Sequence, residues 1–265
     1  MRVLTPQLDW AAFVDSIAAA RSRLLMLDYD GTLAPFHVRP ELALPYPDVL
    51  SALEAIMQAG GTRVVIVSGR PADEVPPLLG LKPHPEIWGS HGRERLGTDG
   101  QRTVQTPDPV ACSGLANAVG VLDGILPEGS RLEIKLASLA LHWRALPENA
   151  ARKLRKDVMP RWQSIAAHNS LEILDFDGGL EIRASGWGKR HAVEAVLSET
   201  PAQSAVAYLG DDMTDEDAFS AIKARGVGIL VRAQLRETAA DAWLEPGELV
   251  SFLSRWRVEQ REMTA

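Results

Sequence analysis

The sequence predicts an α/β fold, a parallel sheet covered by helices on both faces, with a second α+β unit inserted into it. Three observations carry this. Apolar runs such as RLLMLDYD (23–30), TRVVIVSGR (62–70) and SAVAYLGDD (204–212) are nearly continuous instead of alternating, as strands buried on both faces require. Helical spacing follows these runs, giving the strand–helix rhythm of a parallel sheet. Between residues 108 and about 180 the rhythm gives way to alternating apolar and polar residues, which marks antiparallel pairing.

Taken in order, LDWAAFVDSIAAA (8–20) is a first amphipathic helix and RLLMLDYD the first strand. PDVLSALEAIMQAG (47–60) is a helix stopped by Gly60 and Gly61, TRVVIVSGR a strand, and Pro71 opens the next helix. EIWGSHG (86–92) is a third short strand. The middle segment gives a helix (ACSGLANAVGVL, 111–122), the alternating stretch RLEIKLASLALHWR (131–144), and a second helix (148–167). LEILDFDGGLEIRA (171–184) is a hairpin turning at Asp177-Gly178-Gly179. The α/β rhythm resumes with GKRHAVEAVL as helix, SAVAYLGDD as strand, TDEDAFSAIKA as helix, GVGILV as strand and PGELVSFLSRW as a closing helix.

Bulk properties narrow the function. The chain has 265 residues, 46% hydrophobic, with 28 basic and 35 acidic side chains and a net charge of -7. This acidity disfavours nucleic acid and anionic membrane as partners, since neither would be attracted. Cys112 is the single cysteine, so no internal disulfide or cysteine-rich zinc site forms. No run reaches the ~18 apolar residues of a membrane span, and the N-terminal segment lacks a leader's apolar block. A cytoplasmic monomer acting on a small molecule is the expectation.

The chemistry gathers where parallel strands end, the place at which such sheets bind ligands. The first strand ends in Asp28 and Asp30, the second in Ser68 and Arg70, and the strand after the insert in Asp211 and Asp212, with Asp215 close behind. Lys189 opens the helix that follows the insert. Carboxylates with a few waters suit Mg²⁺, while a lysine and free helix N–H groups suit a phosphoryl group. Each piece has an ordinary reading when isolated. Asp28-Tyr29-Asp30-Gly31 makes an Asx turn, and Thr214-Asp215-Glu216-Asp217 caps a helix. An EF-hand fails because Arg39 stands at the twelfth position. A P-loop fails because Arg183 replaces its first glycine and Arg190 its Ser/Thr. What distinguishes the set is its joint occurrence, in order, at strand ends.

DYDGTL, SGR, a lysine before a helix and GDDMTDEDAF together resemble the four motifs of the haloacid dehalogenase superfamily of aspartyl-phosphate phosphatases. DYDGTLAPF with GDDMTDEDAF, supported by GSHGRE (89–94), LEIKLASLALHWR and LEIRASGWGK (180–189), is similar to the trehalose-6-phosphate phosphatases. The resemblance implies a haloacid-dehalogenase-like Rossmannoid core over 1–107 and 182–265 and an α+β cap over 108–181. It implies a Mg²⁺-dependent phosphatase with Asp28 as nucleophile and Asp30 as acid and base. Ser68 and Lys189 would act on the phosphate. Asp28, the Asp30 carbonyl and Asp211 would hold the metal, with Asp212 or Asp215 behind them. Glu133, Lys135 and Glu181 would bind sugar hydroxyls; Arg70 and His91 are further substrate-binding candidates, and Glu94, His142 and Arg144 weaker ones. Two positions depart from the family pattern, Ala184 where it has proline and Arg190 where it has glycine. Trehalose 6-phosphate is the expected substrate. Sucrose 6-phosphate, mannosyl-3-phosphoglycerate and a non-catalytic sugar-phosphate sensor are the alternatives.

Overall fold

The computed structural model describes residues 1–37, 39–176 and 178–259, and the chain divides into two compact units, Met1–Val104 with Gly188–Ala265, and Gln105–Trp187. In the first unit a short edge strand β1 (Arg2–Val3) precedes α1 (Trp10–Ala19), β2 (Arg23–Leu27), α2 (Val49–Ala59), β3 (Thr62–Val67), α3 (Val75–Leu79) and β4 (Glu86–Gly89). Two further strands, β5 (Glu94–Leu96) and β6 (Arg102–Val104), complete the first crossing.

The second unit contains α4 (Pro109–Gly120), β7 (Arg131–Ile134), β8 (Ser138–His142), α5 (Glu148–Ala166), β9 (Leu171–Phe176) and β10 (Gly179–Ala184). The chain then returns to the first unit through α6 (Lys189–Ser198), β11 (Ala205–Gly210), α7 (Glu216–Ile222), β12 (Val227–Val231), β13 (Ala242–Leu244) and α8 (Leu249–Ser254).

The first unit holds a nine-stranded sheet in the order β1-β13-β12-β11-β2-β3-β4-β5-β6. All pairings from β13 to β4 are parallel, and the two edges are antiparallel. Side chains on successive strand residues face opposite sides. Leu25 and Leu27 therefore join Ile17 of α1, Leu53 and Ile56 of α2 and Phe252 of α8 on one face. Leu24 and Met26 meet Val193 and Val196 of α6 and Phe219 of α7 on the other. That two-sided burial explains the unbroken apolar runs. It also leaves the carboxyl ends of β2, β3 and β11 as the place where polar side chains collect. The α2 stop is as the glycines require: Gly60 has φ 72 and returns its N–H to the Met57 carbonyl.

In the second unit the sheet runs β7-β8-β10-β9, wholly antiparallel. Its apolar face, with Leu139, Leu141, Leu180 and Ile182, packs on Leu115 and Ala118 of α4 and on Leu154, Val158 and Trp162 of α5. Trp162 Nε1 donates to the Ala118 carbonyl at 3.1 Å and ties the two helices. This unit begins three residues earlier and ends six later than the 108–181 that the resemblance implied for the cap.

RLEIKLASLALHWR, read as one alternating stretch, is two strands joined by a tight turn in which Lys135 N donates to Ser138 O at 2.8 Å. Alternation is the same for one strand or for two folded back, so period alone does not reveal the turn. The hairpin of β9 and β10 is present, and its Asp177 lies outside the described residues.

Candidate active site

The site of the first unit is assembled from strand ends. β2 delivers Asp28, whose main-chain N–H still bonds Leu209 O of β11 at 2.8 Å, so the carboxylate leaves from a rigid strand. Lys189, at the first turn of α6, places Nζ 2.6 Å from Asp28 Oδ1 and 2.7 Å from Asp215 Oδ1. Thr32 Oγ1 donates to Asp28 Oδ2 at 3.2 Å. Asp215 also accepts from the N–H groups of Asp211 and Asp212 and from Tyr208 Oη at 2.5 Å. Asp28, Lys189, Asp211 and Asp215 are all buried.

The turn after β2 works only with glycine. Gly31 has φ +89, and a Cβ there would stand 2.1 Å from Asp211 Oδ2. Asp211 is thus pressed against the DYDGT turn from the neighbouring strand.

Charge in this cluster is unbalanced. Asp28, Asp211 and Asp215 offer oxygens all within 4.8 Å of one another, against the single ammonium of Lys189. Burial pushes the Asp28 carboxyl up to about 7, opposed by Lys189 and reinforced by Asp215. Asp211 rises to about 9 through burial and then the charges of Asp28 and Asp215. Burial disfavours the Lys189 ammonium, but Asp215 and Asp28 outweigh it and hold its pKa above the usual lysine value. Burial and the neighbouring acids also push the Tyr208 phenol well above its usual range.

Asp211 Oδ1 is buried without a hydrogen-bond partner, although buried polar atoms are seldom left so. An orphaned oxygen among three clustered carboxylates fits a hard divalent cation, which takes oxygen ligands and neutralises the surplus charge. Among the described residues, Asp28, Asp211 and Asp215 are therefore a group able to hold a metal ion. Asp212 is exposed, with its Oδ1 on Met213 N at 2.6 Å, so of the two outer acids it is Asp215 that lies in the cluster.

Ser68 and Arg70 follow β3. Ser68 is buried, and its Oγ accepts from Arg70 N at 3.2 Å. Arg70 forks onto Asp30, Nε to Oδ2 and Nη2 to Oδ1, both at 2.6 Å, and its Nη1 donates to Pro40 O at 2.9 Å. All three guanidinium nitrogens are thereby engaged. His91 lies in a left-handed turn, Ser90 φ 48, His91 φ 55 and Gly92 φ 95. Its N–H donates to Ser68 O at 3.0 Å, and the preceding N–H, of Ser90, to Arg70 O at 2.7 Å. The imidazole covers Gly69, where a Cβ would stand 2.7 Å from His91 Cε1. Glu94 buttresses this turn through Ser90 Oγ at 2.6 Å.

The second unit carries its own polar surface on the sheet face opposite its helices. Glu133 and Glu181 both pair with Ala140, so the two carboxylates flank a small side chain in one row. His142 Nε2 is 2.9 Å from Glu133 Oε2, and Lys135 Nζ is 3.5 Å from Glu133 Oε1. The hydrogen bond to His142 pulls the Glu133 carboxyl down to about 2, with Lys135 and Arg131 assisting against burial. Glu181 Oε1 is buried and unpartnered, while Arg183 on the same strand is engaged by Glu172 at 2.6 Å.

Three residues escaped the sequence reading. Tyr208, read as strand core, bonds Asp215. Arg232 Nη1 donates to Asp211 O at 3.3 Å, and Arg236 Nη2 to Asp212 O at 2.8 Å, so two guanidinium groups hold the main chain of the acidic loop. Arg232 directly follows β12, and the strand-end rule applied to GVGILVR would have found it.

The trehalose-phosphatase family model matches residues 26–244, from within β2 to the end of β13. The chain belongs to the trehalose-phosphatase family. A trehalose-phosphate phosphatase of Mycobacterium marinum is 32% identical over 249 residues, covering 87% of this chain and 60% of that protein. The bifunctional trehalose-6-phosphate synthase/phosphatase of Thermoproteus tenax is 33% identical over 205 residues, 76% of this chain and 27% of that protein. The chain thus spans from about a quarter to about three fifths of the relatives' lengths. Among solved structures, Aspergillus fumigatus trehalose-6-phosphate phosphatase superposes with a TM-score of 0.66 at 27% identity, covering 96% of this chain and 99% of that one. The matched folds confirm the haloacid-dehalogenase-type α/β architecture expected from the motifs. No helix among the described residues is long and apolar enough to cross a membrane.

Proposed function

We propose that this chain is a phosphoric monoester hydrolase that releases phosphate from trehalose 6-phosphate through an aspartyl-phosphate on Asp28. The observation that carries the reading is the buried Asp28 carboxylate, held at 2.6 Å by Lys189 at the end of a central strand. A nucleophile must be fixed in place and must be kept from repelling an anionic substrate, and Lys189 does both. An Asp28 oxygen forms a bond to phosphorus as the bond to the sugar oxygen breaks, and that oxygen takes its proton from Asp30. Water then attacks the phosphorus with Asp30 as base, restoring Asp28 and freeing phosphate. Ser68 supplies a hydroxyl to the phosphoryl oxygens. Asp28 and Asp211 would hold Mg²⁺, with the Asp30 carbonyl expected from the resemblance and Asp215 of the same cluster as further oxygens, and the ion would supply charge neutralisation at the phosphoryl group.

The substrate assignment rests on family membership and on the relatives' names, supported by the row of Glu133 and Glu181 with Lys135 beside it. Two carboxylates and an ammonium on one face match the donors and acceptors of adjacent sugar hydroxyls. A panel of sugar phosphates, assayed for phosphate release with Mg²⁺ and with EDTA, tests the proposal. Turnover of trehalose 6-phosphate well above that of sucrose 6-phosphate, mannosyl-3-phosphoglycerate and p-nitrophenyl phosphate is expected. Equal turnover of p-nitrophenyl phosphate would remove the substrate assignment.

A further inference from the structure

We infer that Arg70 is a positioning residue for the proton-transferring carboxyl of Asp30, and that the left-handed Ser90–His91–Gly92 turn is its support. The inference rests on the reading of Asp30 as acid and base given above. Asp30 stands three residues beyond the end of its strand, on a turn, and its side chain is a quarter exposed, so the strand does not fix the carboxyl. Arg70 does. Its planar fork engages both carboxylate oxygens at 2.6 Å, which sets the plane and rotation of the group as no single hydrogen bond can.

The fork is itself held from three sides. Nη1 is anchored on Pro40 O at 2.9 Å, and the guanidinium carbon lies 5.4 Å from the centre of the buried Tyr29 ring. The main chain on either side of Gly69 is gripped by successive N–H groups of the left-handed turn, Ser90 N on Arg70 O and His91 N on Ser68 O. Ser90 and His91 are non-glycine residues held at positive φ, and such strain persists only where surrounding contacts enforce it. Here the enforcing contacts are the buried Glu94 on Ser90 Oγ and the imidazole seated on Gly69. The ordering runs from strained turn to serine–glycine–arginine turn to fork to Asp30. It commits all three guanidinium nitrogens of Arg70 to contacts within the protein.

The reaction distinguishes a positioned acid from a merely stable fold. When the bond between phosphorus and the ester oxygen breaks, the electron pair passes to that oxygen. A sugar alkoxide must be protonated by Asp30 as it leaves, whereas p-nitrophenolate leaves as a stable anion without help. Displacing the acid therefore slows formation of the aspartyl-phosphate from the first substrate and spares its formation from the second, while the later hydrolysis, which uses Asp30 as base, slows equally for both.

The test measures the pre-steady-state rate of leaving-group release, trehalose or p-nitrophenol, and KM for Arg70→Met, Arg70→Lys and Asp30→Asn on trehalose 6-phosphate and on p-nitrophenyl phosphate, with thermal denaturation alongside. For Arg70→Met the expected result is a fall of ~100-fold in the rate of trehalose release, a change within ~3-fold in the rate of p-nitrophenol release, and little change in KM. Arg70→Lys, which keeps the charge but cannot fork, shows the same selective loss at a smaller size, and remains informative if the methionine variant is poorly folded. Equal losses on both substrates, or a loss carried by KM, would overturn the inference, since Arg70 would then be structural or would bind substrate. Asp30→Asn separates the two levels. If it lacks the leaving-group signature, the acid assignment itself fails; if it shows the signature and the Arg70 variants do not, only the role of Arg70 fails.

Discussion

Substitution Asp211→Asn probes the charge imbalance at the centre of the site. In the metal-free protein Asp211 holds its proton up to about pH 9, whereas an unfolded chain releases it near the ordinary aspartate value of 3.8. The folded state therefore binds the extra proton throughout that window, and its stability falls as pH rises across it. Each bound proton costs about 1.4 kcal/mol per pH unit, so raising the pH from about 6 to about 8.5 removes about 3 kcal/mol. Coulomb's law gives a similar size: like charges at the 4.8 Å limit of the cluster repel by about 3 kcal/mol at an effective dielectric of about 20. For a chain of this length that corresponds to a drop of roughly 6 to 12 °C in Tm. Asp28, raised to about 7, adds to the loss in the lower part of the range.

Asparagine mimics the protonated carboxyl and lacks this dependence. In EDTA the Asp211→Asn melting temperature is expected to be nearly level above pH ~7 and to exceed the wild-type value at pH ~8.5. Added Mg²⁺ should restore the wild-type protein at high pH and leave the variant unmoved, while phosphatase activity of the variant falls by at least ~100-fold. The assay is differential scanning fluorimetry across pH with EDTA or Mg²⁺. Parallel wild-type and variant profiles in EDTA, or a variant less stable than wild type at pH ~8.5, would refute the reasoning.

Other consequences follow from the same geometry. Lys189→Met leaves Asp28 and Asp215 buried without their cation and should cost about 3 to 5 kcal/mol in denaturant unfolding, along with turnover. Gly31→Ala drives a methyl group to 2.1 Å from the Asp211 carboxylate at a positive φ, so Mg²⁺-induced thermal stabilisation should disappear even where the fold survives. Glu133, lowered to about 2 against an ordinary 4.5, contributes stability present above pH ~4.5 and lost as pH falls toward ~2; Glu133→Gln should flatten that part of an acid-unfolding curve. Glu181→Gln should raise KM for trehalose 6-phosphate by about 10-fold with p-nitrophenyl phosphate hydrolysis unchanged, since Glu181 belongs to the second unit and the groups assigned to phosphoryl transfer all belong to the first.

Much of this was legible before any coordinates. Continuous apolar runs announced strands buried on two faces, and the strand-end rule placed Asp28, Ser68, Arg70 and Asp211 together, because a parallel sheet offers side chains nowhere else to gather. Lys189 was legible only as a companion to those acids, since a lone lysine at a helix start carries no signal. Elements that pair across the sheet edge, β1, β5 and β6, were missed because two or three residues are too few to show a period. Engagements among side chains were not legible at all. That Arg70 clamps Asp30 depends on the turns after two different strands, and that Tyr208 serves Asp215 depends on which way a core residue points. The orphaned oxygen of Asp211 is a property of packing, which no spacing of letters encodes.

The central claim is that Asp28 carries the phosphoryl group in transit. Enzyme quenched during turnover of trehalose 6-phosphate and reduced with borohydride converts an aspartyl-phosphate into homoserine, which peptide mass spectrometry locates. The account predicts homoserine in place of Asp28, dependent on substrate and absent when substrate is withheld. Turnover with no reduction at Asp28, or reduction at another aspartate, would contradict it.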